Sequence, residues 1–343
     1  MSLAKEIAEQ PAVVRRLLAG GRAEARRIGG MLASAEHLTV AARGSSDNAA
    51  TYGKYLFEGL AGVVTALAAP SLVTRYRTPP SFARGAAIGI SQSGAAPDVA
   101  AVLEAAREDG ARTVAITNDP RSRVARSAEV VFLLRAGPER SVAATKTYTG
   151  TCVALALMAT SCAELRGRPG LSLDGVAEAV EEAAACGVEA ARLARRIGRA
   201  RSLVVVARGF GYPTALEVAL KVKELARIWA EPYSSADLAH GPIALLEPDT
   251  PAVLISARGT VERDARELAR KLRRRGVRVY AITNDERLAA DVDDAVLLRS
   301  EAHEALAAVA FVIVGQLLAA DLARRRGLDP DRPAGLTKVT LTR

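Results

Sequence analysis

Two short runs of small and hydroxyl-bearing residues each follow an apolar, β-rich run in the first half of the chain. They are Gly44-Ser45-Ser46 and Ser91-Gln92-Ser93. Serine hydroxyls and backbone N–H groups at the positive end of a helix suit a phosphate group. Serine here more often only caps a helix, but two such runs, with Thr145 and Thr147 ahead of a third helix, favour a phosphoester site. Neither the G-x-G-x-x-G pattern nor the P-loop lysine pattern is present, which disfavours a dinucleotide or a nucleoside triphosphate.

The second half lacks most of these hydroxyls and carries acid and base groups instead. Glu217, Lys221 and Glu224 are spaced by four and three residues, which places them on one face of a helix. Taken alone, this spacing is typical of an exposed ion-pair ladder worth about a few tenths of a kcal/mol per pair. His240 by itself is likewise more often structural than catalytic. A function for these groups therefore needs support from further motifs.

The chain contains an internal repeat. Ala42-Arg43-Gly44 recurs 165 residues later as Ala207-Arg208-Gly209, and Ile90-Ser91 recurs as Ile255-Ser256. The tetrapeptide Ile-Thr-Asn-Asp at 116–119 recurs whole at 282–285. Three matches in the same order indicate a duplicated domain.

Each copy alternates apolar β-rich runs with helical patterns, which is typical of βα units in a parallel sheet. Strands are predicted near 38–42, 86–90, 113–117 and 129–134, and near 202–207, 252–256, 278–283 and 295–298. Helices are predicted near 47–60, 97–109 and 146–165, and near 214–227, 261–275 and 303–325. The predicted fold class is α/β: two tandem doubly wound parallel sheets, each a flavodoxin-like or Rossmann-like three-layer αβα domain, related by internal duplication.

This pattern divides the chain into four parts. We expect a helical arm over 1–34, a first domain over 35–170, a second domain over 171–326 and a tail over 327–343. Residues 172–199 are predicted to form one long helix joining the halves. The tail is too rich in proline to be helical, carries Lys338, and is expected to fold over a site.

Composition excludes several classes of protein. A chain of 343 residues, 50% hydrophobic and 25% charged, is a globular protein with room for about two domains. The net charge of +9 would suit nucleic acid, but nearly all basic residues are arginine at helical spacing near acids, so we expect a solvated surface and no nucleic-acid partner. The apolar stretch 305–320 falls short of a membrane span of roughly 20 residues, so no membrane partner is expected.

Cysteine and histidine usage and the amino end add further expectations. Three widely spaced cysteines and three scattered histidines predict no disulfide framework, no metal site and no cofactor. The first residues lack the apolar run of a secretory signal, which favours a cytoplasmic location.

Five motifs taken together resemble a known family. They are Ser91-Gln92-Ser93-Gly94, Val142-Ala143-Ala144-Thr145-Lys146, the segment Ala215-Leu216-Glu217 through Lys221-Val222-Lys223-Glu224, His240-Gly241-Pro242, and Asp331-Arg332-Pro333 with Lys338. In this order they resemble the isomerase half of glucosamine-6-phosphate synthase, a tandem pair of sugar isomerase (SIS) domains. The resemblance covers essentially the whole chain.

The resemblance implies a role for each matching residue. A sugar phosphate would be bound by Gly44, Ser45, Ser46, Ser91, Gln92, Ser93, Val142 and Ala144. Glu224 would shuttle a proton between carbons 1 and 2, with Lys221 beside the reacting atoms. Lys338 would form an imine with the keto sugar. His240 would help to open the sugar ring from a neighbouring subunit, which implies a homodimer with a shared active site.

Two departures from the family pattern concern the substrate. The family has threonine where this chain has Ala96, and serine where it has Ala144. Two hydroxyls near the sugar are therefore missing, which leaves the identity of the sugar open.

The chain opens with Met1-Ser2, whereas the synthase begins with a glutaminase domain that has a cysteine nucleophile. We therefore expect no ammonia from glutamine by this chain alone. The first hypothesis is an isomerising deaminase that converts glucosamine 6-phosphate to fructose 6-phosphate and ammonia. The alternatives are another phosphosugar isomerase, a deglycase of fructose-amine 6-phosphate, and a non-catalytic sugar-phosphate-binding regulator.

Overall fold

The computed structural model describes residues 2–338, and their strands and helices alternate along the chain. The strands are β1 (His37–Ala41), β2 (Val64–Leu67), β3 (Ala86–Ile90), β4 (Arg112–Thr117), β5 (Val130–Leu133), β6 (Ser202–Ala207), β7 (Trp229–Ser234), β8 (Ala252–Ser256), β9 (Val279–Thr283) and β10 (Asp294–Leu297).

The helices lie before, between and after these strands. They are α1 (Leu3–Ala8), α2 (Gln10–Gly20), α3 (Arg22–Ala33), α4 (Ser45–Leu56), α5 (Pro70–Thr74), α6 (Pro97–Glu108), α7 (Arg123–Ser127), α8 (Lys146–Leu165), α9 (Val176–Ala185), α10 (Gly187–Ile197), α11 (Tyr212–Lys221), α12 (Ser235–Ala239), α13 (Glu262–Arg274), α14 (Glu286–Asp291) and α15 (Glu304–Arg325). A π-helical turn follows α4 at Phe57–Ala61, and another follows α11 at Val222–Ala226.

The strands form two parallel five-stranded sheets with the same topology. The first has the order β2-β1-β3-β4-β5 and the second β10-β9-β8-β6-β7. Read from its β7 edge, the second order repeats the first, and both are the flavodoxin-like arrangement. The predicted fold class, two α/β domains related by duplication, is confirmed.

The sequence prediction missed one edge strand in each sheet. Strand β2 is only four residues long, and three of its residues are exposed although its sequence, Val-Thr-Ala-Leu, is mostly apolar. In β7 Pro232 cannot donate to a neighbouring strand, which is tolerated only at a sheet edge. Both strands nevertheless pair in the same register, since β2 begins opposite His37 and β7 begins opposite Ser202.

Close packing groups the described chain into two compact units. The β1–β5 unit comprises Ala12–Glu139, Lys146–Ser172 and residues 337–338. The β6–β10 unit comprises residues 2–11, Arg140–Thr145 and Leu173–Leu336.

One long apolar helix fills the interior of each unit. In α8 and α15 the most apolar stretch would be long enough to cross a membrane, but 83% and 89% of it is buried inside the protein. Core helices of globular domains have this composition because they contact apolar side chains on every face.

Two predicted helices are divided in the structure. Residues 172–199 do not form one helix: α9 ends at Ala185 and α10 begins at Gly187, because Cys186 has ψ 29°, outside the helical range. The helix predicted over 214–227 changes from α to π geometry after Lys221. This change affects the direction in which the following side chains point.

Candidate functional site

Two of the predicted phosphate loops lie side by side in the β1–β5 unit. Strands β1 and β3 are parallel neighbours, so the loops after Ala41 and Ile90 leave the same edge of the sheet. Arg43 Nε donates to the buried carboxylate of Asp98 at 2.7 Å, and this ion pair ties the first loop to the beginning of α6. The loops therefore occupy the edge where α/β sheets bind ligands.

The first loop turns at Gly44 into helix α4. Gly44 has φ 56°, a left-handed conformation that favours glycine. The N–H of Ser46 closes the turn by donating to Arg43 O at 3.1 Å. Within residues 2–338, the half-buried hydroxyls of Ser45 and Ser46 make no hydrogen bond to protein. They are available to a ligand.

One acid lies in the same turn. Burial raises the pKa of Asp47 above its ordinary value of 3.8, while the nearby Arg43 guanidinium opposes that shift. Arg43 therefore offsets the negative charge beside the two serines and keeps the loop compatible with an anion.

The second loop, Ser91-Gln92-Ser93-Gly94, is a tight turn fixed by its neighbours. Gly94 N donates to Ser91 O at 3.1 Å. Gly94 has φ 63°, and a Cβ there would lie 1.9 Å from Ser122 Oγ, so only glycine fits. Thr117 Oγ1 donates to Gln92 O at 3.4 Å. Gln92 and Ser93 stay half-exposed while Ser91 is buried.

The repeated Thr-Asn-Asp motif explains how both copies hold this loop. In the β6–β10 unit, Thr283 Oγ1 donates to Ser256 O at 2.6 Å and accepts from Asp285 N at 2.9 Å. Arg208 pairs with Asp264 at 2.8 Å, as Arg43 does with Asp98. The second copy thus keeps the supporting contacts of the first, but the serines after its first strand are replaced.

Glu217, Lys221 and Glu224 form a buried cluster, and the exposed ladder expected from their spacing is wrong. The Lys221 side chain is 1% exposed and that of Glu217 is 0% exposed. Lys221 Nζ lies 3.4 Å from Glu217 Oε1 and donates to Glu224 Oε2. The face is buried because α11 packs against α15 and β7, which the sequence spacing does not reveal.

Glu224 is the member of the cluster that reaches solvent. It lies in the π-helical turn Val222–Ala226, and its side chain is 24% exposed. Single π turns recur at functional sites, where they redirect side chains. Burial acts to lower the pKa of Lys221, but the carboxylates of Glu217 and Glu224 outweigh burial and raise it above 10.5. A buried cation therefore holds a solvent-accessible carboxylate in place.

His240 is exposed and ends a short helix. It follows Ala239, the last residue of α12, and precedes Gly241 and Pro242. Its backbone N–H donates to Asp237 O at 3.1 Å, and its ring makes no hydrogen bond within the described part of the chain. An exposed imidazole with no hydrogen-bond partner among residues 2–338 is compatible with a role at a neighbouring subunit.

Lys338 pairs with an acid that the sequence interpretation missed. Its Nζ lies 2.8 Å from Glu139 Oε2, and Glu139 is fully buried. The same carboxylate accepts hydrogen bonds from the backbone N–H and from the hydroxyl of Thr147. The Thr147 hydroxyl therefore binds Glu139, which is contrary to its predicted contribution to a phosphate site. No motif marked Glu139, because its partner lies 199 residues away. Residues 339–343 of the predicted tail lie outside the described residues.

The segment with Val142 and Ala144 is held from the amino end of the chain. The carboxylate of Glu6, buried in α1, accepts from Arg140 N at 2.6 Å and from Ser141 N at 3.2 Å. Val142 and Ala144 remain half-exposed within this segment. Glu6 is thus a second supporting acid that the sequence interpretation missed.

The first part of the tail is fixed in the β6–β10 unit. Asp331 Oδ1 accepts from Leu3 N at 2.6 Å, and Ala334 O accepts from Arg227 Nη2 at 3.1 Å. Pro333 between them is buried. The motif Asp331-Arg332-Pro333 therefore serves to attach the tail.

The structure brings the predicted site residues together in groups. Gly44, Ser45 and Ser46 lie at the same edge of the sheet as the Ser91–Ser93 turn, and Lys221 pairs with Glu224. Among residues 2–338 no cluster of three or more His, Cys, Asp or Glu side chains could hold a metal ion.

Comparison with known proteins agrees with the repeated architecture. Two segments, 31–161 and 196–324, match the model of the SIS domain, and each contains one of the two sheets. The chain belongs to the SIS domain family. The resemblance inferred from its motifs is confirmed.

Three similar proteins set this SIS protein in context. Over 97% of its length it is 37% identical to a glutamine–fructose-6-phosphate aminotransferase (isomerizing) of Gloeobacter violaceus, and it spans 57% of that relative. The C-terminal domain of glucosamine-fructose-6-phosphate aminotransferase from Francisella tularensis superimposes with a TM-score of 0.85 at 29% identity, covering 96% of this chain and 97% of that one. A Silicibacter pomeroyi protein, for which phosphosugar isomerase function has been proposed, superimposes with a TM-score of 0.83 at 31% identity. The superposition covers 96% of this chain and 100% of that one.

The SIS protein therefore spans little more than half the length of the curated aminotransferases it matches.

Proposed function

We propose that this SIS protein is a phosphosugar isomerase that acts on an aminosugar phosphate, converting glucosamine 6-phosphate and water to fructose 6-phosphate and ammonia. The observation that carries the proposal is the solvent-accessible Glu224 carboxylate held by the buried ammonium of Lys221. Moving a proton between adjacent carbons needs such a carboxylate base, and a neighbouring fixed cation can stabilise the negative charge that develops on the sugar.

Glu224 is proposed to take the proton from carbon 2 of the open-chain aminosugar and return one to carbon 1. The product of this step is the imine of the keto sugar. Because Lys221 is buried and charged, it keeps the carboxylate in one orientation throughout the transfer.

Lys338 is proposed to release ammonia from that imine. Its neutral amine adds to carbon 2, ammonia leaves, and the new imine between Lys338 and the sugar is hydrolysed by water to fructose 6-phosphate. The reverse sequence consumes ammonium. The amine must lose its proton before it can attack carbon 2.

Phosphate recognition is proposed for the two loops of the β1–β5 unit. The hydroxyls of Ser45 and Ser46 have no protein partner within residues 2–338, and Gln92 and Ser93 are half-exposed at the same edge of the sheet. Hydrogen bonds from hydroxyls to a charged phosphate are worth about 1.5–3 kcal/mol each.

A homodimer is proposed as the working form, with His240 opening the sugar ring in the neighbouring subunit. The exposure of the imidazole supports this role. Sedimentation of the active protein as a monomer would contradict it.

The deciding experiment measures ammonia and fructose 6-phosphate released from a panel of hexosamine 6-phosphates. Glucosamine 6-phosphate is expected to yield both products in equal amounts, and Glu224→Gln is expected to lose about 10²–10⁴-fold in kcat while still binding the sugar. The reverse reaction is tested with fructose 6-phosphate and ammonium.

A second candidate is an isomerase for a different sugar phosphate, favoured by Ala96 and Ala144 at positions where the family has hydroxyls. Turnover of another hexose phosphate or of a fructose-amine 6-phosphate, without ammonia from hexosamines, would select an isomerase or a deglycase. Binding without turnover of any member of the panel would refute the enzyme proposal in favour of a regulator.

A further inference from the structure

Glu139 is a fully buried acid whose carboxylate accepts hydrogen bonds from Thr147 and from Lys338, both in the β1–β5 unit. Its Oε1 accepts from Thr147 N at 3.1 Å, and its Oε2 accepts from Thr147 Oγ1 at 2.8 Å. Lys338 Nζ also donates to Oε2, at 2.8 Å. Thr147 lies in the first turn of α8, the buried core helix of this unit. The carboxylate is therefore fixed to a rigid element.

The neighbouring residue is fixed as well. Lys146 Nζ donates to Pro138 O at 2.8 Å, which restrains the backbone immediately before Glu139. In contrast, Lys338 belongs to the tail, and its side chain is 23% exposed. The ion pair thus joins a rigid acid to a lysine that solvent can reach.

We propose that Glu139 is the positioning residue for Lys338. The inference rests on the proposed function, because it concerns the lysine assigned to imine formation. In the sugar-free protein Glu139 fixes the place of Nζ. Before attack one proton passes from Nζ to solvent water, which the 23% exposed side chain can reach. The neutral amine then adds to carbon 2 of the keto sugar. Water leaves as the imine forms, or ammonia leaves when the sugar enters as its imine.

The geometry explains why the acid is buried while the lysine is not. Thr147 holds the Glu139 carboxylate in place, so the ion pair with that carboxylate keeps the tail lysine at one defined position. An amine already held near its reacting position avoids much of the entropy loss of attack, and a misplacement of about 1 Å can cost about 10²-fold in rate.

The first test measures turnover of the complete chain. Glu139→Gln keeps the size of the side chain and removes its charge, and we expect kcat to fall about tenfold to a hundredfold while KM for the sugar phosphate changes less than about twofold. Glu139→Asp should recover part of kcat. Trapping of the imine with borohydride, located at Lys338 by mass spectrometry, should slow in parallel with kcat.

The matched control is Glu129→Gln, which removes a surface carboxylate paired with Arg112 at 2.8 Å in the same unit. It should leave kcat, KM and trapping unchanged. If Glu139→Gln does not fold, Thr147→Val replaces it in the test. This variant removes one donor to Glu139 and should give a smaller fall in kcat. Wild-type kcat and trapping in folded Glu139 variants would overturn the proposal.

A second test does not depend on turnover. Acylation of lysines in the sugar-free protein, quantified by mass spectrometry, should modify Lys338 several-fold faster in Glu139→Gln than in the wild type. The half-exposed Lys54 serves as the internal reference. Absence of sugar turnover together with this increase would refute the proposed function but retain Glu139 as the anchor of Lys338. Equal labelling in both proteins would overturn the anchor itself.

Discussion

Replacing Lys221 by methionine tests the buried cluster most directly. Methionine has a similar length and no charge, so the substitution removes the ammonium and leaves the surrounding apolar contacts largely in place. The Glu217 side chain is 0% exposed and would lose its cation, whereas Glu224, at 24% exposed, retains contact with solvent. The cost should therefore come mainly from Glu217.

Breaking a buried ion pair by removing one partner costs about 3–5 kcal/mol. Total stabilities are about 5–15 kcal/mol, so this loss is large enough to measure without abolishing the fold. We expect Lys221→Met to destabilise the β6–β10 unit by about 3–5 kcal/mol. Urea unfolding followed by circular dichroism, with hydrogen exchange of peptides from 212–226, measures the change.

A double-mutant cycle separates loss of charge pairing from loss of packing. Adding Glu217→Gln to Lys221→Met should recover at least about half of the lost stability, because the buried carboxylate that has lost the Lys221 cation is then absent. Lys54→Met is the control, since it removes a lysine 2.6 Å from Glu58 in a half-exposed pair and should cost at most about 1 kcal/mol. A loss below 1 kcal/mol for Lys221→Met, or additive losses in the double variant, would refute the reasoning.

The pKa of Lys221 sets the pH range over which its ion pairs stabilise the protein. Burial alone would lower the pKa, but Glu217 and Glu224 raise it above 10.5. When folding raises the pKa of a group, the charged group stabilises the protein fully at any pH below its pKa in the unfolded chain. This stabilisation is lost as the pH rises through the pKa in the folded protein. The stability gap between the wild type and the double variant should therefore stay constant from about pH 6 to pH 9 and narrow only above pH 10.5.

Three further predictions concern the loops and the thiols. Ser45→Ala combined with Ser46→Ala should raise KM about tenfold or more in steady-state assays, with unchanged urea unfolding, since neither hydroxyl has a protein partner within residues 2–338; a matching loss of stability would contradict this. Gly44→Ala should cost about 1–2 kcal/mol for its left-handed φ alone, and Gly94→Ala clearly more, because its Cβ would also meet Ser122; equal urea midpoints for the two variants would refute the steric argument. Burial raises the pKa of Cys162 and of Cys186 to about 11, so iodoacetamide at pH 8 should label both slowly in native protein and rapidly in urea, and rapid native labelling at either thiol would be the contrary result.

The local pattern of the chain was enough to predict its architecture. Alternating apolar strands and helical faces are short-range signals. The threonine of the repeated Thr-Asn-Asp motif donates to the loop after the second strand in both copies, to Gln92 O in the first and to Ser256 O in the second. The domain boundaries predicted at 35–170 and 171–326, the roles of the individual site residues and the closing of the tail over a site stay predictions. The edge strand β7 escaped prediction because Glu231 and Pro232 are untypical of strands, and β2 escaped it because the strand is only four residues long.

The sequence by itself determined the duplicated α/β fold, the family and the positions of the loops at the ends of the strands. Only the tertiary structure decided that Glu217 and Lys221 are buried, because burial of a helix face depends on what packs against it. Only the tertiary structure showed that Glu139 pairs with Lys338, because an ion pair between residues 199 positions apart produces no local sequence pattern. Local spacing specifies which side chains share an element, whereas packing between distant elements specifies their charge environment.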